Sequence, residues 1–221
     1  MKSFIITFFL IMNTLIFSQS ITISGAASLK EYLEKNIKAY EKTHNTKFNL
    51  NLGSSGTLKK QLEQGAPVDI IFLANKGYIE NLKKNEYIEN TKDILKNKLV
   101  LIKNDNVPGK DITLAIGNPS FVPAGKYAAE VLKNKKLNFN YETIYAKDVR
   151  SVLNYVELGE VNYGIVYLTD TKLLKNSKIV ETFDDSLHSP IIYSLGIVTD
   201  SKMKKESLNF INFLKGKNWN D

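Results

Sequence analysis

The chain has 221 residues, 43% of them hydrophobic and 24% charged, with 12 glycines and 5 prolines. This is the composition of a folded protein with one large domain or two of about 100 residues each, and it excludes low-complexity, collagen-like and disordered classes. The formal net charge is +7, and the absence of cysteine with only two histidines, His44 and His188, excludes a disulfide scaffold, a thiolate or multi-histidine metal site, a cysteine nucleophile and a lipid-anchored N-terminal cysteine.

The first twenty residues differ from the rest. Lys2 precedes an apolar run from Phe4 to Phe17, and Ser18-Gln19-Ser20 offers small residues at the −3 and −1 positions of a cut after Ser20. This reads as a secretory signal peptide (1–20), too short for a bilayer span of about 20 apolar residues. Removing Lys2, the one charge of the leader, takes +7 to +6 for the mature chain. Basicity in an exported protein does not argue for nucleic acid, and lysine runs such as Lys133 to Lys136 lack interleaved aromatics and read as solvated faces.

Strands and helices then alternate. Ile21 to Ser24 reads as a strand, and Leu29, Tyr32, Leu33, Ile37 and Tyr40 recur at helical spacing. Strands follow at Phe48–Leu52, Asp69–Leu73 and Leu99–Ile102, with helices at Leu58–Gln64 and Tyr78–Lys84. The second run has strands at Thr113–Ile116, Tyr141–Tyr145 and Tyr163–Tyr167, and helices at Ala124–Leu132 and Val149–Leu158. A short helix over Thr169–Leu174, the pair Ile179-Val180, a strand at Ile191–Val198 and a closing helix at Lys202–Leu214 complete the chain. The order predicts an α/β protein with mixed, mainly parallel sheets. Two such runs without a Gly/Ser/Pro-rich linker predict two lobes joined by crossing strands: 21–100 with 192–221, and 101–191.

Catalytic patterns are weak. Gly53-Ser54-Ser55-Gly56 lacks the Gly-x-Ser-x-Gly spacing of a hydrolase elbow, and no P-loop is present. What recurs is a strand ending in small or hydroxylated residues before a helix: Gly25 to Ser28, Gly53 to Thr57, Val122 to Gly125 and Lys147 to Arg150. Ser28 and Glu31 also have the spacing of a capping box. In open α/β sheets such turns lie at the C-terminal strand ends, where ligands bind. Helix starts leave N–H groups unpaired and turn the positive dipole end outward, so several converging starts would form an anion site without a charged side chain.

These turns carry a resemblance. Ala26-Ala27-Ser28-Leu29, Gly53 to Leu58, Gln64 to Ile70, Gly117-Asn118-Pro119, Val122 to Gly125, Asp148-Val149-Arg150 and Gly164 to Tyr167 together resemble the periplasmic molybdate-binding proteins, solute receptors of molybdate ABC importers. The resemblance spans essentially the whole mature chain. Asn118 stands where that family often has Asp, and Ser24-Gly25 where small apolar residues are usual.

The resemblance implies a two-lobed type II periplasmic-binding fold with molybdate or tungstate in the cleft, no cofactor and no enzymatic activity. It implies a membrane permease as partner, a monomeric state and a periplasmic location. Carried over by motif, the ligands are Ser28 and Ser55 from one lobe and Ala124, Val149 and Tyr167 from the other. The serines would donate through hydroxyl and backbone N–H, Ala124 and Val149 through backbone N–H, and Tyr167 through its phenol. They would contact the oxyanion, not the metal atom itself. Arg150, the one arginine among 30 basic residues, is expected to pair with a carboxylate behind the site rather than clamp the anion. Trp219 lies far along the chain from these residues and is expected to report poorly on them. The competing readings are a receptor for another tetrahedral oxyanion such as sulfate, a secreted hydrolase, and an adhesion protein using the Lys/Tyr-rich surface.

Overall fold

The computed structural model describes residues 20–109 and 111–220; residues 1–19 of the expected leader lie outside them. In chain order the elements are β1 (Ser20–Ala26), α1 (Lys30–Glu41), β2 (Lys47–Gly53), α2 (Ser55–Glu63), β3 (Ile70–Leu73), α3 (Lys76–Lys84), β4 (Ile88–Lys96) and β5 (Leu99–Lys103). There follow β6 (Thr113–Gly117), α4 (Pro123–Asn134), β7 (Glu142–Ala146), α5 (Val149–Glu157), β8 (Tyr163–Tyr167), β9 (Lys178–Thr182), β10 (Ile192–Val198) and α6 (Lys204–Leu214). Short 3-10 turns at Ala27–Leu29, Leu168–Leu173 and Asp185–Leu187 join them.

Two five-stranded sheets result, ordered β2-β1-β3-β10-β4 and β7-β6-β8-β5-β9. Each is mixed. The parallel pairs are β1 with β2 and β3, and β6 with β7 and β8. The antiparallel pairs involve β5 and β10, the strands nearest the points where the chain changes sheets. The chain passes to the second sheet between Lys96 and Leu99 and returns between Thr182 and Ile192.

The first sheet is covered on both faces, and β3 shows why. All four of its residues are buried. Ile70 and Phe72 join the core formed with Tyr32, Leu33 and Phe210, whereas Ile71 and Leu73 pack with Leu58, Leu62, Ile79 and Leu82. Successive strand side chains point to opposite faces, so α1 and α6 cover one face and α2 and α3 the other. In the second sheet, Gly164 leaves room for α5: a Cβ there would stand 2.7 Å from Val156 and 3.0 Å from Val152.

Two elements depart from expectation. β4 is a nine-residue edge strand that hydrophobic patterning does not reveal, because only Ile88 and Leu95 are buried. Asn90 has φ +51° there, and the pairing with β10 shifts register twice. The expected Ser28/Glu31 capping box does not form. Ser28 lies inside the 3-10 turn rather than before α1, which has no side-chain cap, and both side chains are engaged elsewhere.

The tightest approach is that of α4 to β6. A Cβ on Gly125 would stand 1.8 Å from the Gly117 carbonyl oxygen. Backbone cannot yield as a flexible side chain can, so Gly125→Ala is expected to destabilise by at least the about 1–3 kcal/mol typical of overpacking. Urea unfolding of the two proteins measures this; equal midpoints would show that α4 can lift off β6 at no cost.

Candidate functional site

Four helix or turn starts converge on one small cavity. Its walls include Ala27, Ser28, Ser54, Ser55, Ala74, Val122, Ala124, Asp148, Val149 and Tyr167, and its volume is about 10 Å³. That is room for about one water molecule, so a tetrahedral oxyanion needs these walls to move apart. The five residues expected to bind, Ser28, Ser55, Ala124, Val149 and Tyr167, all line it. Arg150 does not.

Each wall has a local cause. Ser54 caps α2 by accepting the Thr57 N–H at 3.3 Å, which leaves Ser55 as the first helical residue with no intrahelical acceptor for its N–H. Pro123 opens α4 at a position where its missing N–H costs nothing, so Ala124 carries the first free N–H of that helix. Asp148 caps α5 through Ser151 N–H at 2.7 Å, which makes Val149 the first helical residue and engages one oxygen of the cavity's carboxylate.

The side-chain hydroxyls are equally defined. Ser55 Oγ accepts the Ala74 N–H at 3.1 Å. Ser28 Oγ lies 2.8 Å from the Tyr193 hydroxyl. Tyr167 is 1% exposed, and its hydroxyl has no partner in good hydrogen-bond geometry, the Tyr193 phenol being a polar neighbour. A buried polar atom left without a partner is uncommon in native structures, and this one belongs to a cavity wall. Burial pushes the hydroxyls of Tyr167, Tyr193 and Tyr127 well above the ordinary tyrosine range, so all three keep their protons.

The two sheets meet closely around the cavity. Gly56 N–H donates to Phe121 O at 2.9 Å, and a Cβ on Gly56 would stand 2.5 Å from that same oxygen, so only glycine permits the approach. Asn97 Nδ2 donates to Thr169 Oγ1 at 2.9 Å, and the Tyr167 and Tyr193 rings meet edge to face at 5.8 Å.

Arg150 lies behind this wall, its side chain 18% exposed. Its Nε stands 3.2 Å from Asp170 Oδ1, and a terminal nitrogen pairs with Glu31 Oε2 from the other sheet's half. Asp170, 0% exposed, accepts the Tyr167 N–H through its other oxygen at 3.3 Å. The guanidinium thus joins α1 to the end of β8. Sequence patterning gave no sign of Asp170, Glu31, Asn97 or Tyr193 in these roles, because each depends on a partner distant in the chain.

Trp219 is not remote. Its Nε1 donates to Lys96 O at 2.6 Å, and its ring packs edge-on against Tyr193 at 5.0 Å and Tyr32 at 5.7 Å. Lys172 donates to Trp219 O at 3.4 Å and to Asn220 Oδ1 at 2.9 Å. His44, by contrast, stacks on Tyr40 at 3.8 Å, and His188 turns Nδ1 to Ser189 O at 2.8 Å; neither lines the cavity.

Burial pushes the Asp170 carboxyl up to about 7, against the opposing pull of Arg150. A raised carboxyl pKa means the folded chain holds this proton more tightly than the unfolded one. Its stabilisation is full below about pH 4 and is lost as pH rises through about 7. The melting temperature of the ligand-free protein is therefore expected to fall by several degrees between about pH 5 and pH 8, and Asp170→Asn to flatten that fall. Thermal melts of both proteins across this range check it; parallel curves would place the titrating group elsewhere.

Comparison with known proteins agrees with this architecture. Residues 21–219 match the family described as bacterial extracellular solute-binding protein. "Putative ABC transporter substrate-binding lipoprotein YvgL" of Bacillus subtilis is 39% identical, covering 89% of this chain and 81% of its own. The molybdate-binding protein ModA of Haemophilus influenzae is 34% identical over 90% of this chain and 85% of its own. The solved structure of the Azotobacter vinelandii periplasmic molybdate-binding protein superposes with a TM-score of 0.77 at 21% identity, covering 89% of this chain and 93% of that one, and bears on the fold alone. With the family match spanning both sheets and every wall of the cavity, the chain belongs to the bacterial extracellular solute-binding proteins.

Proposed function

We propose that this protein captures molybdate, and its near-isostere tungstate, outside the cytoplasm and presents it to the permease of an ABC importer. It is a binding component, not an enzyme. The observation that carries the reading is the buried Tyr167 hydroxyl, without a partner in good hydrogen-bond geometry, in a small cavity ringed by helix starts. Such a wall suits a tetrahedral dianion, which offers acceptor oxygens on every side and no proton. The proposed contacts are the hydroxyls and N–H groups of Ser28 and Ser55, the N–H groups of Ala124 and Val149, and the Tyr167 phenol.

The energetics suffice without a counter-charge. Each hydrogen bond to a charged acceptor contributes about 1.5–3 kcal/mol. The seven proposed contacts sum to about 10–21 kcal/mol, above the roughly 8 kcal/mol of a micromolar site, which leaves a surplus to offset the cost of closure. The two halves that would close are those built on the first and second sheets, divided before Leu99 rather than at residue 100, turning about the crossings beside Asn97 and Ile191. The relatives named for molybdate and for ABC transport support the assignment of solute and partner. A periplasmic location, release from the leader near Ser20 and a monomeric state complete the proposal.

Calorimetry of the exported chain against molybdate, tungstate, sulfate and inorganic phosphate tests the reading. One site per chain is expected for the first two, with far weaker heats for the others. Equal affinity for sulfate would replace molybdate with a general oxyanion as the solute.

Tyr167→Phe isolates the phenol. The ring stays and one charge-assisted bond goes, so the molybdate dissociation constant is expected to rise roughly ten- to a hundred-fold, from about 1.5–3 kcal/mol at about 1.4 kcal/mol per tenfold. Because no well-formed protein hydrogen bond is lost, the ligand-free melting temperature should hold or rise slightly. Wild-type affinity in this variant would strike Tyr167 from the contacts.

A further inference from the structure

Asp148 is the one carboxylate in the wall and is engaged through one oxygen in capping α5, so the two serines must present protons, not lone pairs, if the rest of the wall is to donate. A serine hydroxyl can do either, so something must fix its direction. We infer that Asn97 and Tyr193 form a relay that fixes the Ser28 hydroxyl as a donor into the cavity and so selects for oxyanions that carry no proton. This deepens the oxyanion reading above and rests on it.

The direction of the relay follows from one unambiguous donor. Lys98 N–H can only donate, and it does so to Asn97 Oδ1 at 2.9 Å. The amide nitrogen of Asn97 therefore faces the other way, where Nδ2 donates to Thr169 Oγ1 at 2.9 Å and to the Tyr193 hydroxyl at 3.2 Å. The phenol oxygen, having accepted from Asn97, lies 2.8 Å from Ser28 Oγ, a contact in which either hydroxyl can donate, and the relay assigns that proton to the phenol. Ser28, having accepted in turn, keeps its proton for the cavity.

Ser55 reaches the same state by a shorter route, since the Ala74 N–H on its oxygen is also an obligate donor. Ser28 has no such backbone donor among its hydrogen bonds and depends on the side-chain relay. Tyr193 is wholly buried, with its ring held between Tyr167 and Trp219, so the phenol cannot swing away. It does not line the cavity and is a positioning residue. A protonated oxyanion such as hydrogen phosphate needs an acceptor, and with the relay intact neither serine supplies one. Without it, Ser28 is free to turn and accept.

The test is a double-mutant cycle on the whole exported chain: wild type, Tyr193→Phe, Ser28→Ala and the double variant, each titrated by calorimetry with sodium molybdate and with inorganic phosphate near neutral pH. Tyr193→Phe is expected to raise the molybdate dissociation constant roughly tenfold and to narrow the molybdate-to-phosphate affinity ratio. Both effects should vanish in the Ser28→Ala background, because the relay acts only through that hydroxyl. An undiminished loss in that background, or a loss that leaves the ratio unchanged, would make Tyr193 a packing residue and overturn the relay. If Tyr193→Phe lowers the ligand-free melting temperature, Asn97→Ala takes its place in the cycle with the same expectations. A wild type that ignores molybdate overturns the oxyanion reading and the relay with it; a wild type that binds and a Tyr193→Phe variant that matches it overturn the relay alone.

Discussion

The first N–H groups of an α-helix have no acceptor within the helix, and a folded chain must place them against water, a cap or a ligand. Here α2, α4 and α5 and the turn at Ala27–Leu29 all begin at one cavity. Much of the surrounding structure follows from bringing them together. The strands β1, β2, β6 and β7 run parallel to a neighbour so that their C-terminal ends and the helices after them face the same way. Ser54, Asp148 and Pro123 each set where a helix begins. Gly56 and Gly125 allow backbone to approach backbone where any side chain would hold it off. The positive field at the centre is built from peptide dipoles, with the basic side chains kept outside.

That choice separates the strength of the site from its ability to let go. Apart from the capping carboxylate of Asp148, the carboxyl and guanidinium groups lie behind it, where Arg150 spans Asp170 on one half and Glu31 on the other. Because Asp170 also accepts the N–H of Tyr167, the ion pair and the cavity floor share a carboxylate. A buried charge pair is costly to desolvate and is weak evidence for stability in itself. Its position, tying α1 to the end of β8, makes it a connection between halves rather than a clamp on the anion.

The sequence disclosed much of this and missed a definable part. Strands such as β3 and β8 are readable because nearly every residue is apolar and buried. The strand-to-helix turns are readable from their small and hydroxylated residues, but the five cavity residues are singled out by the family resemblance, and Tyr167, at the end of β8, lies in none of those turns. β4 was hidden because an edge strand needs few apolar residues and this one has two buried positions. Ser28 and Glu31 show the opposite error: local spacing suggested a capping box, and tertiary partners took both side chains, Tyr193 across 165 residues and Arg150 across 119. Tyr193 is one of 11 tyrosines, and nothing local distinguishes a phenol that directs a serine from one that fills space. Distance along the chain misled equally at Trp219, which the closing segment carries back to the crossing beside Lys96.

The placement of Trp219 has an optical consequence. The rings of Tyr167, Tyr193 and Trp219 follow one another at 5.8 and 5.0 Å. Electronic excitation passes from tyrosine to tryptophan efficiently at such separations, and this chain has one tryptophan to receive it. Light absorbed at the cavity floor is therefore collected by a single emitter whose indole nitrogen is bonded to the backbone at the crossing between the sheets. The molecule carries, without any label, a chromophore line running from the cavity wall to the crossing between its sheets.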